Sequence, residues 1–462
     1  MSHDYLTAVR GSLLQLTQDP FHYPVETCLS YIADGLLVVA DGRILAVGPY
    51  RELIEQYSNL PVTHYPDKLI VPGFIDTHLH FPQTEMIAAY GEQLLTWLER
   101  YTFPTEQQFS QYDYARTVAD HFLLELLRHG TTTALVFTTV YAQSTEAFFE
   151  AAQAKNLRMI AGKVLMDRHA PSALLDTPET AYTQSKQLIE KWHRRDRLLY
   201  AVTPRFAITS TPAQLAVAGQ LLNEFPDVYL HTHLAENADE IRWTAELFPE
   251  ARSYLEVYKQ AGLVGDRSVF AHGIHLNSSD YQTLHEGGCA IAHCPTSNLF
   301  LGSGLFPLHL AKQARVKVGL GTDIGAGTSF SMLTTGGEAY KVAQLQQQTL
   351  TPFQALYLAT LGGAQALSLD DKLGNFRPGK EADFIVLDPL ATTTLTFRNQ
   401  GKLEILGNIT SDKAANEDQP LTPSHIDQLQ SLLFSLLILG DDRTVLATYI
   451  AGSLAHHREA KC

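Results

Sequence analysis

From residue 69 onward, short apolar, strand-like runs alternate with longer segments in which apolar residues have helical spacing. A strand followed by a helix, repeated eight times, is typical of a parallel (β/α)8 barrel of the TIM type. The eight predicted strands are Leu69–Ile75, Thr132–Phe137, Arg158–Leu165, Leu198–Val202, Val228–His233, Ser268–His272, Cys289–Cys294 and Val316–Asp323. Predicted helices include Tyr112–Arg128, Thr145–Lys155, Pro178–Arg194 and Thr351–Leu367.

The two ends of the chain differ from this pattern, because short strands and tight turns replace the helices. Asp34–Gly48 reads as two strands joined by an Asp-Gly turn, which is typical of a β-hairpin. Leu373–Asp388 reads as a turn and a strand, and the apolar run Leu432–Leu439, a turn and the strand-like Thr444–Ile450 are predicted to complete this β unit. The predicted fold class is α/β, a (β/α)8 barrel with a small β-sandwich domain built from both termini. The predicted boundaries are 1–67 and 373–462 for the two parts of the sandwich, the second with the C-terminal segment, and 68–372 for the barrel.

Two segments do not fit the alternation of strands and helices. Phe81–Gln111, between the first two barrel strands, is long enough to cover the mouth of the barrel as a lid, and an ordinary packed excursion fits equally well. Ser411–Gln419 is mostly polar and is predicted to be a flexible loop.

Composition narrows the classes of function. The chain has 462 residues, of which 45% are hydrophobic and 18% charged, and its net charge is −15. An acidic chain without a basic stripe does not favour nucleic acid, so we expect no such partner. Neither an apolar run of about 18 residues nor a signal peptide is visible, so no membrane span is expected. The cysteines show no disulfide or Cys-x-x-Cys spacing, which favours reduced thiols in the cytoplasm: Cys28, Cys289, Cys294 and Cys462.

Polar residues capable of binding a metal lie where the strand-like runs end. His78 and His80 are separated by one residue, so both side chains point to the same side of a strand. Later strand ends supply His233 and Asp323, and the carboxyl ends of barrel strands meet at one face. Each residue alone is more often structural, but three imidazoles and a carboxylate around one point can hold a divalent ion and leave room for water. Imidazole suits zinc and iron alike, so the residues do not decide the metal.

Such an ion lowers the pKa of bound water towards about 7 and so makes hydroxide available at neutral pH. Asp323 is the candidate to accept the proton of that water, and Glu236 is the candidate to deliver a proton to the substrate. His272 can orient or polarise the attacking hydroxide. His231 and His293 also lie near strand ends, and we interpret them as structural.

Taken together, these motifs resemble those of the amidohydrolase superfamily, and the resemblance extends over nearly the whole chain. The motifs that carry it are Pro72–His80, His231–Glu236, Ala271–Gly273, His293–Asn298 and Gly321–Asp323. The resemblance implies a hydrolase and a homodimer, with Glu236 and His272 in catalysis. The zinc ligands that it implies are His78, His80, His233 and Asp323.

A second set of motifs is similar to the branch of aminohydrolases that act on guanine, and it implies hydrolytic loss of the 2-amino group. These motifs are His80–Gln83, Leu95–Leu98, Thr203–Phe206 and Leu439–Arg443. Phe206 or Trp97 can stack on the flat purine, Arg205 can donate to its O6 atom, and Gln83 can donate and accept at a ring edge. The complete predicted substrate-binding set is Gln83, Trp97, Arg205, Phe206, His233, Glu236 and Asp323.

The residues at the end of the fourth predicted strand indicate how many metal ions the site holds. Binuclear members of the superfamily carry a carboxylated lysine at its end, where this chain reads Thr203-Pro204-Arg205-Phe206. Lys163 belongs to the third run, so we expect one zinc ion per subunit.

Two alternatives remain open from the sequence. A member of the same branch could act as an aminohydrolase or chlorohydrolase on a pterin, a triazine or an adenosine derivative. A scaffold on the same fold without catalysis is the other alternative, although such proteins tend to lose metal ligands that are all present here.

Overall fold

The predicted barrel is confirmed by the computed structural model, which describes residues 6–401 and 421–458. The predicted loop Ser411–Gln419 lies outside the described residues. The barrel consists of eight parallel strands that pair in chain order, namely β5, β6, β7 and β9 to β13, and the short β8 pairs with β9. In chain order the strands are β1 (Leu6–Leu16), β2 (Leu29–Ala40), β3 (Arg43–Pro49), β4 (Val62–Pro72), β5 (Phe74–His80), β6 (Thr131–Phe137), β7 (Arg158–Gly162), β8 (Val164–Leu165), β9 (Leu199–Pro204), β10 (Tyr229–Leu234), β11 (Ser268–His272), β12 (Ala290–His293), β13 (Lys317–Leu320), β14 (Phe384–Leu387), β15 (Val445–Ile450) and β16 (Ser453–His457).

The helices lie mainly between the barrel strands, and Tyr112–Arg128 has the bounds predicted from its apolar spacing. Thr177 caps Pro178–Trp192, since its side chain accepts a hydrogen bond from the N–H of Thr180 at 3.2 Å. The α-helices of the described residues are Val25–Cys28, Tyr50–Leu53, Leu94–Trp97, Phe103–Glu106, Tyr112–Arg128, Ala142–Ala154, Pro178–Trp192, Pro212–Glu224, Ala238–Leu247, Tyr254–Gln260, Ser278–Glu286, Pro295–Phe300, Leu308–Gln313, Met332–Leu345, Pro352–Ala359, Leu361–Ala366, Thr393–Asn399 and Pro423–Leu439. Within the described ranges, none of the helices has the length and hydropathy needed to cross a bilayer.

Two predictions near the C-terminus were wrong. The single helix predicted over Thr351–Leu367 is two helices, because Thr360 has φ −130° and ψ −98°, which no α-helix tolerates. Leu432–Leu439 is the last part of the helix Pro423–Leu439 and does not belong to the β unit. A continuous apolar run has no period that distinguishes a buried helix from a strand.

Hydrogen bonds between the first strand of the barrel and the segment that follows the last strand place the metal-binding candidates side by side. Asp323 donates its backbone N–H to the carbonyl of His78 at 2.9 Å, and His80 donates to the carbonyl of Ile324 at 2.7 Å. The buried carboxylate of Asp76 accepts the N–H of Thr322 and that of His78, each at 3.1 Å. The segment after β13 is thus held against β5 at the mouth of the barrel.

The predicted second unit is confirmed as a sheet made from both ends of the chain. It is one mixed seven-stranded sheet in the order β16-β15-β14-β4-β1-β2-β3, in which β1 and β4 are parallel and the other pairs are antiparallel. The predicted hairpin joins β2 and β3. Asp41 and Gly42 have φ of +49° and +75° in its turn, as a two-residue hairpin turn of positive φ requires.

The first predicted barrel strand, Leu69–Ile75, was wrong in its bounds. Leu69 to Pro72 complete β4 of the mixed sheet, and the barrel strand begins only at Phe74. The chain passes from sheet to barrel at Gly73, where a Cβ atom would overlap the side chain of Thr132. β4 therefore crosses the predicted boundary between residues 67 and 68, and we propose Gly73 as the point at which the barrel starts.

A buried group of charges joins the mixed sheet to the barrel. Glu381, which is 8% exposed, accepts hydrogen bonds from Nε of Arg158 at 2.7 Å and from Nη2 of Arg197 at 2.8 Å. Arg197 also pairs with Asp383. Both arginines are almost fully buried, so water cannot stabilise their charges. The carboxylate of Glu381 supplies the compensating negative charge.

We expect Glu381→Gln to lower the free energy of unfolding by about 3 kcal/mol, because it leaves buried guanidinium charge without its full partner. Chemical denaturation measures the change. The pocket described below does not include Glu381, so turnover per folded molecule should stay within about twofold of the parent. An unchanged denaturation midpoint would contradict this view of the contact.

Candidate active site

The carboxyl ends of the barrel strands open into a buried pocket. Every predicted site residue except His78 lines this pocket, and His78 is itself fully buried. The insert Phe81–Gln111 contributes Gln83, Trp97 and two leucines, so it forms one wall; its movement as a lid stays a prediction. The lining residues are His80, Gln83, Leu94, Trp97, Leu98, Arg205, Phe206, His233, Glu236, His272, Leu301, Asp323 and Ala326.

The predicted metal ligands lie within a few ångströms of one another. Nε2 of His78 is 3.1 Å from Oδ1 of Asp323, and Nε2 of His80 is 3.3 Å from the same oxygen. The Nε2 atoms of His80 and His233 are 3.2 Å apart. One ligand atom from each of His78, His233, His272 and Asp323 also lies within 4.8 Å of the others. The structure therefore brings the four predicted ligands together and places His272 beside them.

Contacts at Nδ1 of His78, His233 and His272 leave the Nε2 atoms of these three rings available to a cation. His233 donates from Nδ1 to the carbonyl of Arg205 at 2.8 Å, and because a carbonyl only accepts, Nε2 of this ring keeps its lone pair. Nδ1 of His272 is 2.8 Å from Oδ1 of Asn298. Nε2 of His78 and of His272 are buried without a hydrogen-bond partner. Buried imidazole nitrogens without partners, in a set of nitrogen and oxygen donors, fit a divalent metal such as zinc.

Two further histidines near the strand ends differ in their surroundings. His231, which we interpreted as structural, has its Nε2 2.7 Å from Nδ1 of His78, so it fixes the orientation of that ring. His293 packs against Phe306 with ring centroids 4.8 Å apart, and both of its ring nitrogens are buried without a partner. His293 is therefore a buried histidine outside the ligand cluster.

The cluster is in the protonation state that metal binding needs. Burial lowers the pKa of His80 to about 3 and that of His233 well below its ordinary value, so both imidazoles are neutral. Burial alone would raise the pKa of Asp323, but its attraction to His78 and its hydrogen bonds to His78 and His80 lower that pKa well below the usual range. Neutral imidazoles and an ionised carboxylate are the forms that coordinate a divalent ion.

Glu236 is a buried carboxyl group whose pKa is shifted in the opposite direction to that of Asp323. It is 2% exposed, its Oε2 lies 3.4 Å from Nε2 of His272, and Ser303 donates to its Oε1 at 3.2 Å. Burial, with the charge of Asp323 adding to it, raises the pKa of Glu236 to about 8. Glu236 is thus protonated at neutral pH, as a general acid must be.

Three residues at this end of the barrel have left-handed backbone conformations. Ala235, His272 and Asp323 have φ of +47°, +69° and +52°. Such conformations cost about 1–3 kcal/mol each in residues other than glycine and cluster at functional sites. These conformations occur where the backbone turns sharply after a strand, and they direct the side chains of His272 and Asp323 into the pocket.

The polar groups on the other side of the pocket are connected through Glu106, which sequence reasoning did not find. Nη1 of Arg205 donates to both carboxylate oxygens of Glu106 at 2.9 Å, and Nε2 of Gln83 donates to its Oε1 at 3.3 Å. Gly325 donates its N–H to Oε1 of Gln83 at 3.2 Å. Glu106 lies within the insert and not at a strand end, so no periodicity or motif marks it.

Two aromatic side chains complete the pocket wall. Phe206 is 4% exposed and its ring centroid is 6.5 Å from that of His233. Trp97 is 2% exposed, and its indole N–H is buried without a hydrogen-bond partner. A flat, largely apolar slot beside polar groups suits a heteroaromatic ring.

A (β/α)8 barrel with a cluster of His and Asp side chains at its mouth is typical of metal-dependent hydrolases. The model of the amidohydrolase family matches residues 69–454, and the chain belongs to this family. Among its curated relatives, the guanine deaminase of Escherichia coli (strain K12) is 51% identical over 456 residues, which cover 98% of each chain.

Solved structures agree with this placement. The structure titled E. coli guanine deaminase has a TM-score of 0.89 and 49% identity, and the match covers 98% of this chain and all of that one. Guanine deaminase from C. acetobutylicum, solved with guanine bound in its active site, has a TM-score of 0.84 and 27% identity, and the match covers 97% of this chain and all of that one.

Proposed function

We propose that this protein is a guanine deaminase, which hydrolyses guanine and water to xanthine and ammonia. The observation that carries the proposal is the joining, in one pocket, of the His and Asp cluster, the buried Glu236 and the pair Arg205 and Gln83. Guanine deaminases that match almost the whole chain support the same activity.

We propose one zinc ion per subunit, held by His78, His80, His233 and Asp323. Lys163 is fully buried and paired with Asp176, which supports a site without a lysine bridge between two metal ions. A divalent ion bound at this place would supply a water molecule whose pKa is lowered to about 7.

The side chains then move the protons of the reaction. Asp323 accepts a proton from the attacking water, whose oxygen bonds to C2 of guanine, and His272 orients that oxygen. Glu236 protonates the ring nitrogen beside C2, which carries the negative charge that develops during attack. The bond from C2 to the amino nitrogen breaks as that nitrogen takes up the proton held by Asp323. The hydroxyl on C2 returns its proton to Glu236 as it becomes the carbonyl of xanthine, so ammonia leaves and both carboxyl groups regain their starting states.

The remaining pocket residues hold the purine. Arg205 donates to O6, Gln83 donates and accepts at the adjacent edge, and Phe206 and Trp97 contact the ring faces. A base with the wrong pattern of donors would leave one of these buried groups unpaired, which costs about 1–3 kcal/mol for each group. This penalty favours guanine over rings without an oxygen at this edge.

The assignment of guanine is tested with zinc-loaded protein and a panel of substrates. Guanine, adenosine, a pterin and a chlorinated triazine are incubated with the protein separately. Released ammonia or chloride is assayed, and the ultraviolet spectrum of each ring is recorded in parallel. We expect ammonia from guanine with the spectrum of xanthine as product. Release from another ring, with guanine unchanged, would replace the proposed substrate.

We expect His78→Ala to lower bound zinc from about one ion per chain to less than about a tenth, because it removes one of the four proposed ligands. Metal analysis of the purified variant measures this. His293→Ala is a matched control, since it removes a buried histidine outside the cluster, and it should retain its zinc. Equal zinc content in the two variants would contradict the proposed ligand set.

We also propose a homodimer in the cytoplasm, without nucleic acid or membrane partners. The described cysteines Cys28, Cys289 and Cys294 are free and buried, which fits a reducing compartment. Light scattering tests the dimer, which would have twice the chain mass of 51.2 kDa.

A further inference from the structure

Glu106 is a fully buried carboxylate that binds both polar groups expected to recognise the purine. It lies in the short helix Phe103–Glu106 of the insert and is 0% exposed. Its two oxygens accept three hydrogen bonds, two from Nη1 of Arg205 at 2.9 Å and one from Nε2 of Gln83 at 3.3 Å. Glu106 does not line the pocket, so it acts on a ligand only through these two neighbours.

The carboxylate determines which way the amide of Gln83 points. A carboxylate only accepts hydrogen bonds, so it faces the NH2 group of Gln83, and the N–H of Gly325 faces the amide oxygen at 3.2 Å. Both ends of the amide are therefore defined by fixed partners. The second amide hydrogen and the second lone pair of the oxygen remain for a ligand.

The same carboxylate determines which face of Arg205 meets a ligand. Among the described residues, Arg205 donates its side-chain hydrogen bonds to Glu106 through Nη1 alone, which leaves Nε and Nη2 for another acceptor. The guanidinium carbon lies 5.7 Å from the ring centroid of Phe103, and Arg205 is 2% exposed. A buried guanidinium without a counter-charge would be costly, so Glu106 also keeps Arg205 inside the pocket.

We propose that Glu106 is the positioning residue for purine recognition, which holds Arg205 and Gln83 so that their free donors read the oxygen at C6. This inference rests on the proposed function, because it concerns the same pocket. Glu106 touches neither the reacting atoms nor the substrate. Its effect is on the discrimination between rings with and without that oxygen.

Glu106→Gln tests the proposal because a glutamine side chain cannot accept all three hydrogen bonds. One end of its amide would carry hydrogens that face a donor of Arg205 or Gln83. The inhibition constants of hypoxanthine and of unsubstituted purine are compared, since only hypoxanthine has the oxygen at C6. The substrate in this assay is guanine, or whichever ring of the substrate panel the unsubstituted protein deaminates. We expect the constant for hypoxanthine to rise roughly 10- to 100-fold and that for purine to change less than about threefold. The KM for guanine should rise more than kcat falls.

Two other variants separate positioning from stability. Glu106→Asp keeps the charge and shortens the side chain by one methylene group, and it should show a smaller rise in the same direction; it also serves if Glu106→Gln does not fold. Glu381→Gln changes a buried glutamate that also pairs with two arginines, and it should leave the ratio of the two inhibition constants unchanged.

The proposal is overturned if both inhibition constants rise together in the Glu106 variants, or if neither rises. Failure of the proposed function would be seen separately, because it is read from the unsubstituted protein as absence of ammonia release from guanine. The ratio of inhibition constants depends on binding alone, so it reports on Glu106 whichever ring the protein deaminates.

Discussion

Replacing Asp323 by alanine should lower turnover of guanine by roughly 10³-fold or more and reduce bound zinc at the same time. One carboxylate is proposed to act as a metal ligand and as the base that accepts the proton of water, and general base catalysis alone contributes about 10²–10⁴-fold. The contacts of Asp323 with His78 and His80, at 3.1 and 3.3 Å, show that no other carboxylate is as close to both rings among the described residues. Ammonia release and metal analysis of the same sample measure the two effects.

Asp176→Asn is the matched control for this variant. Asp176 is also a largely buried carboxylate, bound to Lys163 and to Nε2 of Gln214 at 2.6 Å, but it does not line the pocket. Turnover per folded molecule should stay within about threefold. If Asp323→Ala retained full zinc and more than about a tenth of the activity, Asp323 would be neither the base nor a necessary ligand.

Glu236→Gln should reduce kcat on guanine by about 10²–10³-fold and leave the zinc content unchanged. Glutamine has the size of the protonated carboxyl group but cannot give up a proton to the ring nitrogen. Steady-state kinetics with metal analysis separates this loss from loss of the ion. Glu246→Gln, on the exposed side of the helix Ala238–Leu247, serves as control and should behave as the parent.

The pH profile gives a second measurement of the same residue. The pKa of Glu236 is raised to about 8, so the protonated acid predominates at pH 7 and is lost as the pH rises through about 8. We therefore expect kcat of the parent to fall on the alkaline side of this pKa. The Glu236→Gln variant should lack this alkaline decrease, and an unchanged decrease would assign it to another group.

The sequence predicted the barrel because its signals are local and repeated. Tyr112–Arg128 has an apolar face with helical spacing, and the structure gives it the same bounds. Leu69–Ile75 was less informative, since both β4 and β5 are buried and apolar on either side of Gly73, and only the close approach of Thr132 marks the change of direction. Leu432–Leu439 lacks any period and could not be assigned from the sequence.

The predicted site residues were found because they follow strands, and barrel topology determines where strands end. The residues that support them could not be found in this way. Glu106 belongs to the irregular insert. Asn298 lies in the short helix Pro295–Phe300 and Ser303 in the loop after it, and they come near His272 and Glu236 through the packing of these segments. Hydrogen bonds between distant segments depend on the packed structure, which the order of residues does not show.

The position of β4 in the mixed sheet has a consequence for synthesis on the ribosome. β4 pairs with β1 on one side and with β14 on the other, and β14 is made only after the entire barrel. Until then the nascent polypeptide exposes an open strand edge, which is a template for pairing with other molecules. Chains whose translation stops before Phe384–Leu387 should therefore aggregate. Once β14 has been made, it pairs with β4 and covers the open edge.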